Sequence, residues 1–327
     1  MNLCKGLLLS ALSLSSLLLA SCGGSSSSSS SGNHPPVVHY AYTDGVVNGN
    51  AAILSFPLTS TGIAVTPTVA ATAGTADIIR ALRSDGQGKL YALTFQDANF
   101  SEIGVYVYGI TDGELALERS FTSSAPFYAD GFTVSTSGDV YVSMQDGLAI
   151  TFPPTASGIQ PAYTELDLAQ YGFAAMATDS SGNIYGLEGD QVNEYDPGFA
   201  DTTPIRDFSV PNQINDDPDV TVGADGTLYA WGCVLNTKCP EILEFAAGSA
   251  TVTNTLNLSG TIDSIGGAIG LDESTGLLWV DSFGQISNSR VFDAFPTDAS
   301  GTLAPSKSFT AVSTDFQGTW VPAMAIY

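Results

Sequence analysis

Positive charge is scarce in this chain. Nine Lys and Arg stand against 33 Asp and Glu, a formal net charge of −24 at pH 7. A surface of that sign repels phosphate backbones and anionic headgroups, which sets nucleic acid aside as a partner. Histidine is almost missing, with only His34 and His39. Nucleophilic Ser or Cys chemistry needs a placed imidazole. His34 lies in the polar stretch before the first strand, and a His within a strand, like His39, is more commonly a packed or edge residue. No G-x-S-x-G, H-E-x-x-H or P-loop pattern occurs, and the Ser of "GLDESTG" sits in a turn without a small-residue elbow. Charged residues of both signs make up only 13% of the chain, whereas Gly occurs 34 times. That composition suits many short strands joined by turns, not long surface helices.

Long apolar runs are confined to the first residues. "MNLCKGLLLSALSLSSLLLASC" has a short basic start with Lys5, an apolar run broken by Ser, and small residues. That order is a secretory leader, too short for a comfortable membrane span. Its end, Leu19-Ala20-Ser21-Cys22, resembles a bacterial lipobox. The resemblance implies that residues 1–21 are removed and that Cys22 carries lipid on its sulfur and amine. Gly23 in place of Asp implies, by the same resemblance, the outer membrane as destination, on its periplasmic or surface face. Residues 22–34 then form a Gly/Ser tether, a flexible coil by composition. The remainder, 35–327, is expected to be a soluble body anchored at one end, and a monomer.

Cysteine is limited to four residues. Cys4 leaves with the leader and Cys22 takes lipid, which leaves Cys233 and Cys239 in "GCVLNTKCPE". An exported compartment favours their pairing across a hairpin tip. Two thiols without further ligands nearby do not make a zinc site.

What is abundant is repetition. "SDGQGKLYAL", "STSGDVYVSM", "DSSGNIYGLE", "GADGTLYAWG" and "DESTGLLWVD" each place a turn before an aromatic strand. Aligned on Gly88, Gly138, Gly182, Gly226 and Gly276, their aromatics are Tyr91, Tyr141, Tyr185, Tyr229 and Trp279, spaced 50, 44, 44 and 50 residues apart. A period of that size indicates a propeller or solenoid. A short small-residue strand precedes each turn. A third strand ends in Phe56, Tyr108, Phe152, Tyr195, Phe245 or Phe295, and a fourth, more polar strand follows loops such as "PTASG" and "PTDASG". Four strands in about 40–50 residues make one propeller blade. The third strand occurs six times and the complete turn only five. "PPVVHYAYTDG" reads as a second strand lacking a first, and "GTWVPAMAIY" as a first strand with nothing after it. The expected fold is an all-β, six-bladed β-propeller with four antiparallel strands per blade, the C-terminal strand completing the N-terminal blade. Closure of that kind removes unpaired sheet edges.

The "VYV"-type second strand followed by "I-x-x-F-P…A-S-G…P" resembles exported bacterial propellers of the NHL/SMP-30/lactonase-like group. The resemblance covers roughly residues 35–327 and implies the six-bladed fold. That fold hosts lactonases, lyases, hydrolases and pure binding modules, so it carries no activity by itself. Metal-dependent members hold a divalent cation with acidic and amide side chains at the channel mouth. The alignment places Asp77, Asp130, Asp216, Asp217 and Asp219 at the starts of first strands, with "NDDPDV" the densest cluster. No cofactor is expected. Calcium, which takes several oxygen ligands, is the metal that Asp130, Asp217 and Asp219 would suit, and a solvated acidic loop is the plainer reading. Arg80, Tyr128, Tyr171 and Trp320 fall at the same mouth, giving a candidate ligand site of Arg80, Asp130, Asp216, Asp217, Asp219 and Trp320. Two functions follow: a lipid-anchored binding module for a protein, peptide or glycan, or a divalent-cation-dependent lactonase/hydrolase- or lyase-like enzyme.

Overall fold

A computed structural model describes residues 38–73, 78–95, 102–123, 128–145, 147–160, 164–167, 172–210, 214–234, 240–258, 267–283, 289–313, 316 and 323–327. Its strands form six small, mainly antiparallel sheets arranged as a six-bladed β-propeller. From the axis outward, blade 2 runs Ile78–Ser84, Lys89–Phe95, Ile103–Thr111 and Glu114–Ser123, and blade 3 runs Ala129–Val134, Val140–Met144, Leu148–Phe152 and Thr164–Asp167. Blade 4 comprises Ala175–Thr178, Ile184–Glu188, Gln191–Tyr195 and Arg206–Ser209. Blade 5 comprises Ile214–Val222, Leu228–Val234, Pro240–Phe245 and Val252–Asn257. Blade 6 comprises Gly267–Asp272, Leu277–Phe283, Ser289–Pro296 and Lys307–Val312.

Blade 1 is assembled from both ends of the chain. Its outer three strands are Tyr40–Val47, Asn50–Pro57 and Thr68–Thr72, and its inner strand is Met324–Ile326. The pairing register is Ala41 with Ile326, Tyr42 with Ala325 and Thr43 with Met324. Tyr40 and Tyr327 exchange backbone bonds of 2.7 and 3.0 Å. The C-terminal strand therefore closes the ring as the unequal strand count predicts. Close approach explains the small residues of the inner strands: a Cβ on Gly270 would lie 2.5 Å from Ile326 Cγ1.

The repeated aromatics are interblade wedges. Side chains alternate faces along a strand, so each blade offers one apolar set to each neighbour. The core accordingly divides into six clusters, one per interface. Tyr91, Tyr141, Tyr185, Tyr229 and Trp279 face the following blade, and Tyr42 does the same from blade 1. Phe56, Tyr108, Phe152, Tyr195, Phe245 and Phe295 face the preceding one. Each interface thus receives one ring from each side. Burying such a side chain is worth about 1.5–3 kcal/mol, which is why the period is written in aromatics.

The turns need their Gly and Asp for backbone reasons. Gly88, Gly138, Gly182, Gly226 and Gly276 all have φ between +64° and +96°, a region that costs side-chain-bearing residues. Asp179 Oδ1 accepts from the amides of Ser181 and Asn183 at 2.9 Å each, and Asp85 Oδ1 does the same for Gln87 and Lys89.

Three blades depart from the four-strand expectation. The loop between the third and fourth strands of blades 1, 3 and 6 turns after a Pro, with bonds from Ser60 to Pro57, Ala156 to Pro153 and Ala299 to Pro296, each 2.9 Å. It then lays a short parallel strand on the outer edge of the preceding blade. Gly62–Val65 joins blade 6, Gly158–Ile159 joins blade 2 and Gly301–Thr302 joins blade 5. These additions cover edge strands that would otherwise be open.

A fully buried ion network backs the closure. Arg290 and Asp281 of blade 6 are 0% exposed. Arg290 donates to both carboxylate oxygens of Asp281, through Nε at 2.9 Å and through Nη2. Its Nη1 donates to Asp44 Oδ1 in blade 1 at 2.6 Å. Asp44 Oδ1 also accepts from the amide of Ala323, directly before the closing strand, at 3.0 Å.

Candidate functional site at the channel mouth

Irregular pairing positions the mouth residues. Where the inner strands of blades 2, 3 and 5 begin, each ladder skips: between Ile79 and Ala81, opposite Ser143 and Met144, and between Asn215 and Asp219. The residues left over are Arg80, Asp130 and 216–218. A bulge re-aims the side chain it carries, and those of blades 2 and 3 bring Arg80 and Asp130 to one small space at the inner strands' start.

Arg80 and Asp130 come together. Arg80 Nη2 lies 3.6 Å from Asp130 Oδ1, with the two side chains 17% and 18% exposed. Arg80 Nε is buried without a hydrogen-bond partner among the described residues. Glu188, at the end of the second strand of blade 4, accepts from the amide of Ala174. Burial pushes its carboxyl above the usual range, that bond pulls the other way, and the charge of Asp130 adds to the rise.

Below them an ion pair crosses the channel. Arg83 Nη2 reaches Asp219 Oδ1 at 2.7 Å, joining blades 2 and 5 across the axis. Its Nε donates to the carbonyl of Met176 in blade 4 at 3.3 Å. Asp219 also accepts from the amides of Val220 at 2.9 Å and of Ile269 in blade 6 at 3.0 Å. Above this bar, a space of about 30 Å³ lies among Arg80, Arg83, Asp130, Ala174, Asp219 and Gly267, room for about one water. Below it, about 130 Å³ lies among Arg83, Ser84, Thr133, Thr178 and Thr221.

The other anticipated residues divide as follows. Asp219 serves as the acceptor of the Arg83 bar. Tyr128 is 38% exposed and packs its ring, tilted by 44°, against Phe95 at a centroid distance of 5.1 Å. Asp77, Tyr171, Trp320, Cys22 and Cys239 lie outside the described residues, as do the side chains of Asp216, Asp217 and Cys233. The backbone of Cys233 pairs with Pro240 in blade 5. Among the described residues no group of three or more His, Cys, Asp or Glu side chains is placed to hold a metal ion.

His39 meets the turn of "GLDESTG". Its Nε2 is 3.1 Å from Ser274 Oγ and its Nδ1 is 3.5 Å from Asp272 Oδ1. The arrangement is not that of a nucleophile. Ser274 gives its proton to Asp272 Oδ1 at 2.7 Å, whereas an activated serine gives it to the imidazole, with the acid on the far side of the ring. Burial pushes the Asp272 carboxyl up. The hydroxyls of Thr275 and Ser274 and the imidazole of His39 outweigh that and hold it below its ordinary value.

Arg83 and Glu188 were not singled out from sequence. The available signal for Arg83 was a cation inside "DIIRALR", an inner strand where only small residues are expected.

No protein-family model matches the chain, and no curated protein matches it by sequence. Solved structures do. A protein of unknown function from Bacteroides caccae matches at 10% identity over 88% of this chain and 99% of that one, with a TM-score of 0.54. Apo AztD from Citrobacter koseri matches at 10% identity over 89% and 99%, with a TM-score of 0.46. A chain of a mitotic checkpoint complex matches at 13% identity over 65% of this chain, which spans only 61% of that one, with a TM-score of 0.43. At these identities, the likeness to the Bacteroides caccae protein is one of fold alone: the chain is similar to other proteins in its architecture.

Proposed function

We propose that the protein is a lipid-anchored, extracytoplasmic propeller that acts as a binding module, presenting its channel mouth to a polar ligand. The leader, Cys22 and the Ser-rich tether support the anchor, with Gly23 favouring the outer membrane. The observation that carries the binding reading is the pairing of mouth carboxylates with guanidinium groups: Asp130 with Arg80 and Asp219 with Arg83. A calcium ion asks for several oxygens at once, and these two are already engaged by cations. The bar formed by Arg83 makes the mouth a surface to bind at. Arg80, whose side chain is 17% exposed beside Asp130, offers guanidinium donors to a carboxylate or carbonyl of a protein, peptide or glycan.

One observation favours the alternative, a divalent-cation-dependent lactonase-, hydrolase- or lyase-like enzyme. Glu188 is a carboxyl with a raised proton affinity beside the mouth, the kind of group that serves as a general acid or base.

Calcium titration of the purified full-length chain, read by melting temperature and by hydrolysis of a lactone panel, separates the two. The binding reading expects no lactone turnover and a shift below about 1 °C with calcium or EDTA. Calcium-dependent turnover lost in Asp130→Asn would establish the enzyme instead. Cys22→Ser is expected to abolish palmitate labelling and to release the protein from the membrane fraction; retention on the membrane without label would refute the anchor.

A further inference from the structure

The opposite face of the ring, where the inner strands end, carries a larger cavity. An open cleft of about 720 Å³ lies between blades 3 and 4, within the size range of small-molecule sites. Its blade 3 wall is the turn from Ser135 to Asp139 with Pro153, and its blade 4 wall is Ser181 and Gly182 with Pro197 and Gly198, over Tyr141. We propose that this cleft binds a neutral saccharide.

The lining selects the ligand class. Thr136, Ser137 and Ser181 are exposed hydroxyls, and among the described residues no cationic side chain lines the cleft. Asp139 Oδ2 accepts from Ser137 at 2.5 Å, while its Oδ1 has no hydrogen bond among the described residues. Hydroxyls that both donate and accept are best matched by a ligand that does the same, which is the chemistry of a polyol. An apolar ligand would leave these groups desolvated and unpaired. An anionic one would meet Asp139 and a strongly acidic protein with no counter-charge. A peptide needs a free strand edge or an apolar groove, and the aromatic rings here, Tyr141 and Phe152, are buried in the blade interfaces.

The backbone of the blade 4 wall is held in an unusual state. In Asp196-Pro197-Gly198-Phe199, Gly198 has φ +70° and Phe199 has φ +51°. A bulky aromatic in that region is strained and persists only where its surroundings enforce it. Here the Phe199 ring is anchored against Tyr141 at 5.7 Å and Tyr195 at 5.1 Å. The anchored ring holds Pro197 and Gly198 at the rim of the cleft.

The test applies the purified full-length chain to an array of neutral, amino-sugar and acidic oligosaccharides and to a peptide array, with calorimetry on the hits. The expected result is a neutral oligosaccharide bound with a Kd below about 1 mM. Thr136→Trp should abolish that binding and Asp139→Asn should weaken it at least about tenfold, both with an unchanged melting temperature, whereas Arg80→Ala at the channel mouth leaves it intact. Should Thr136→Trp fail to fold, Ser181→Trp blocks the cleft from the other wall. Absence of any neutral ligand, binding of acidic glycans or peptides alone, or unchanged affinity in the folded tryptophan variant would overturn the proposal. Loss on Arg80→Ala would place the sugar at the mouth instead, and would equally overturn it.

Discussion

Replacing Arg290 with Met should expose how the ring is locked. The substitution keeps apolar volume and removes the cation between Asp281 and Asp44, two carboxylates 0% and 3% exposed. Breaking a buried ion pair from one side costs about 3–5 kcal/mol, because the remaining charge has no partner. At about 2–4 °C per kcal/mol for a domain of roughly this size, the melting temperature should fall by about 6–20 °C. The loss should depend on pH in a definite sense. Burial drives the Asp281 carboxyl up to about 6, Arg290 pulls against that rise, and Asp44 adds to it. Because the folded-state value lies above the unfolded value of about 4, the contribution of Asp281 is complete below about pH 4 and is lost as pH rises through about 6. Without Arg290 the carboxyl rises further. The deficit of the variant should therefore widen by about 1.4 kcal/mol for each pH unit above 6. Urea unfolding of the full-length chain, followed by Trp fluorescence at pH 5 and pH 8, reads both effects. A loss below about 1 kcal/mol at pH 8, or an equal loss at both pH values, would refute the reasoning.

Two further substitutions address the channel and the lower turns. Arg83→Met should cost about 1–3 kcal/mol in urea unfolding by leaving Asp219 without its charge partner, and adding Asp219→Asn should recover part of that loss; strictly additive effects would show that the bar is not a coupled pair. Asp272 sits below its ordinary pKa, so its stabilising contribution is present above the unfolded value and is lost as pH falls through the folded one. Asp272→Asn should thus destabilise at pH 7 and little at pH 3, by thermal melts at both; an equal loss at the two pH values would contradict the hydrogen-bonded carboxylate.

Much of the architecture was legible because one physical requirement recurs. Every blade interface needs an aromatic from each side, so Tyr91 and Phe152, or Tyr185 and Phe245, repeat at a readable spacing. Each tight turn needs positive φ, so Gly88 and its counterparts repeat with them. Ring closure was legible from the odd strand count at the two ends. The added parallel strands at 62–65, 158–159 and 301–302 were not, since their partners belong to the preceding blade and leave no periodic trace. The mouth was legible only in part. The alignment placed Arg80 and Asp130 there but could not register the bulges that turn them toward one another. It could not foresee that Asp219 is taken by Arg83, a contact between opposite blades separated by 136 residues.

The channel mouth, shared by all the inner strands, requires that the chain ends complete one blade, and a cross-link tests this directly. Tyr40 and Tyr327 form a hydrogen-bonded pair, so Ala41 and Ile326 form the adjacent non-hydrogen-bonded pair. Such pairs hold their Cα atoms about 4.5 Å apart, within disulfide range. Ala41→Cys combined with Ile326→Cys should oxidise to a disulfide joining the two ends, detected by peptide mapping after digestion without reductant. Two free thiols at those positions in the folded, oxidised protein would contradict the closed ring.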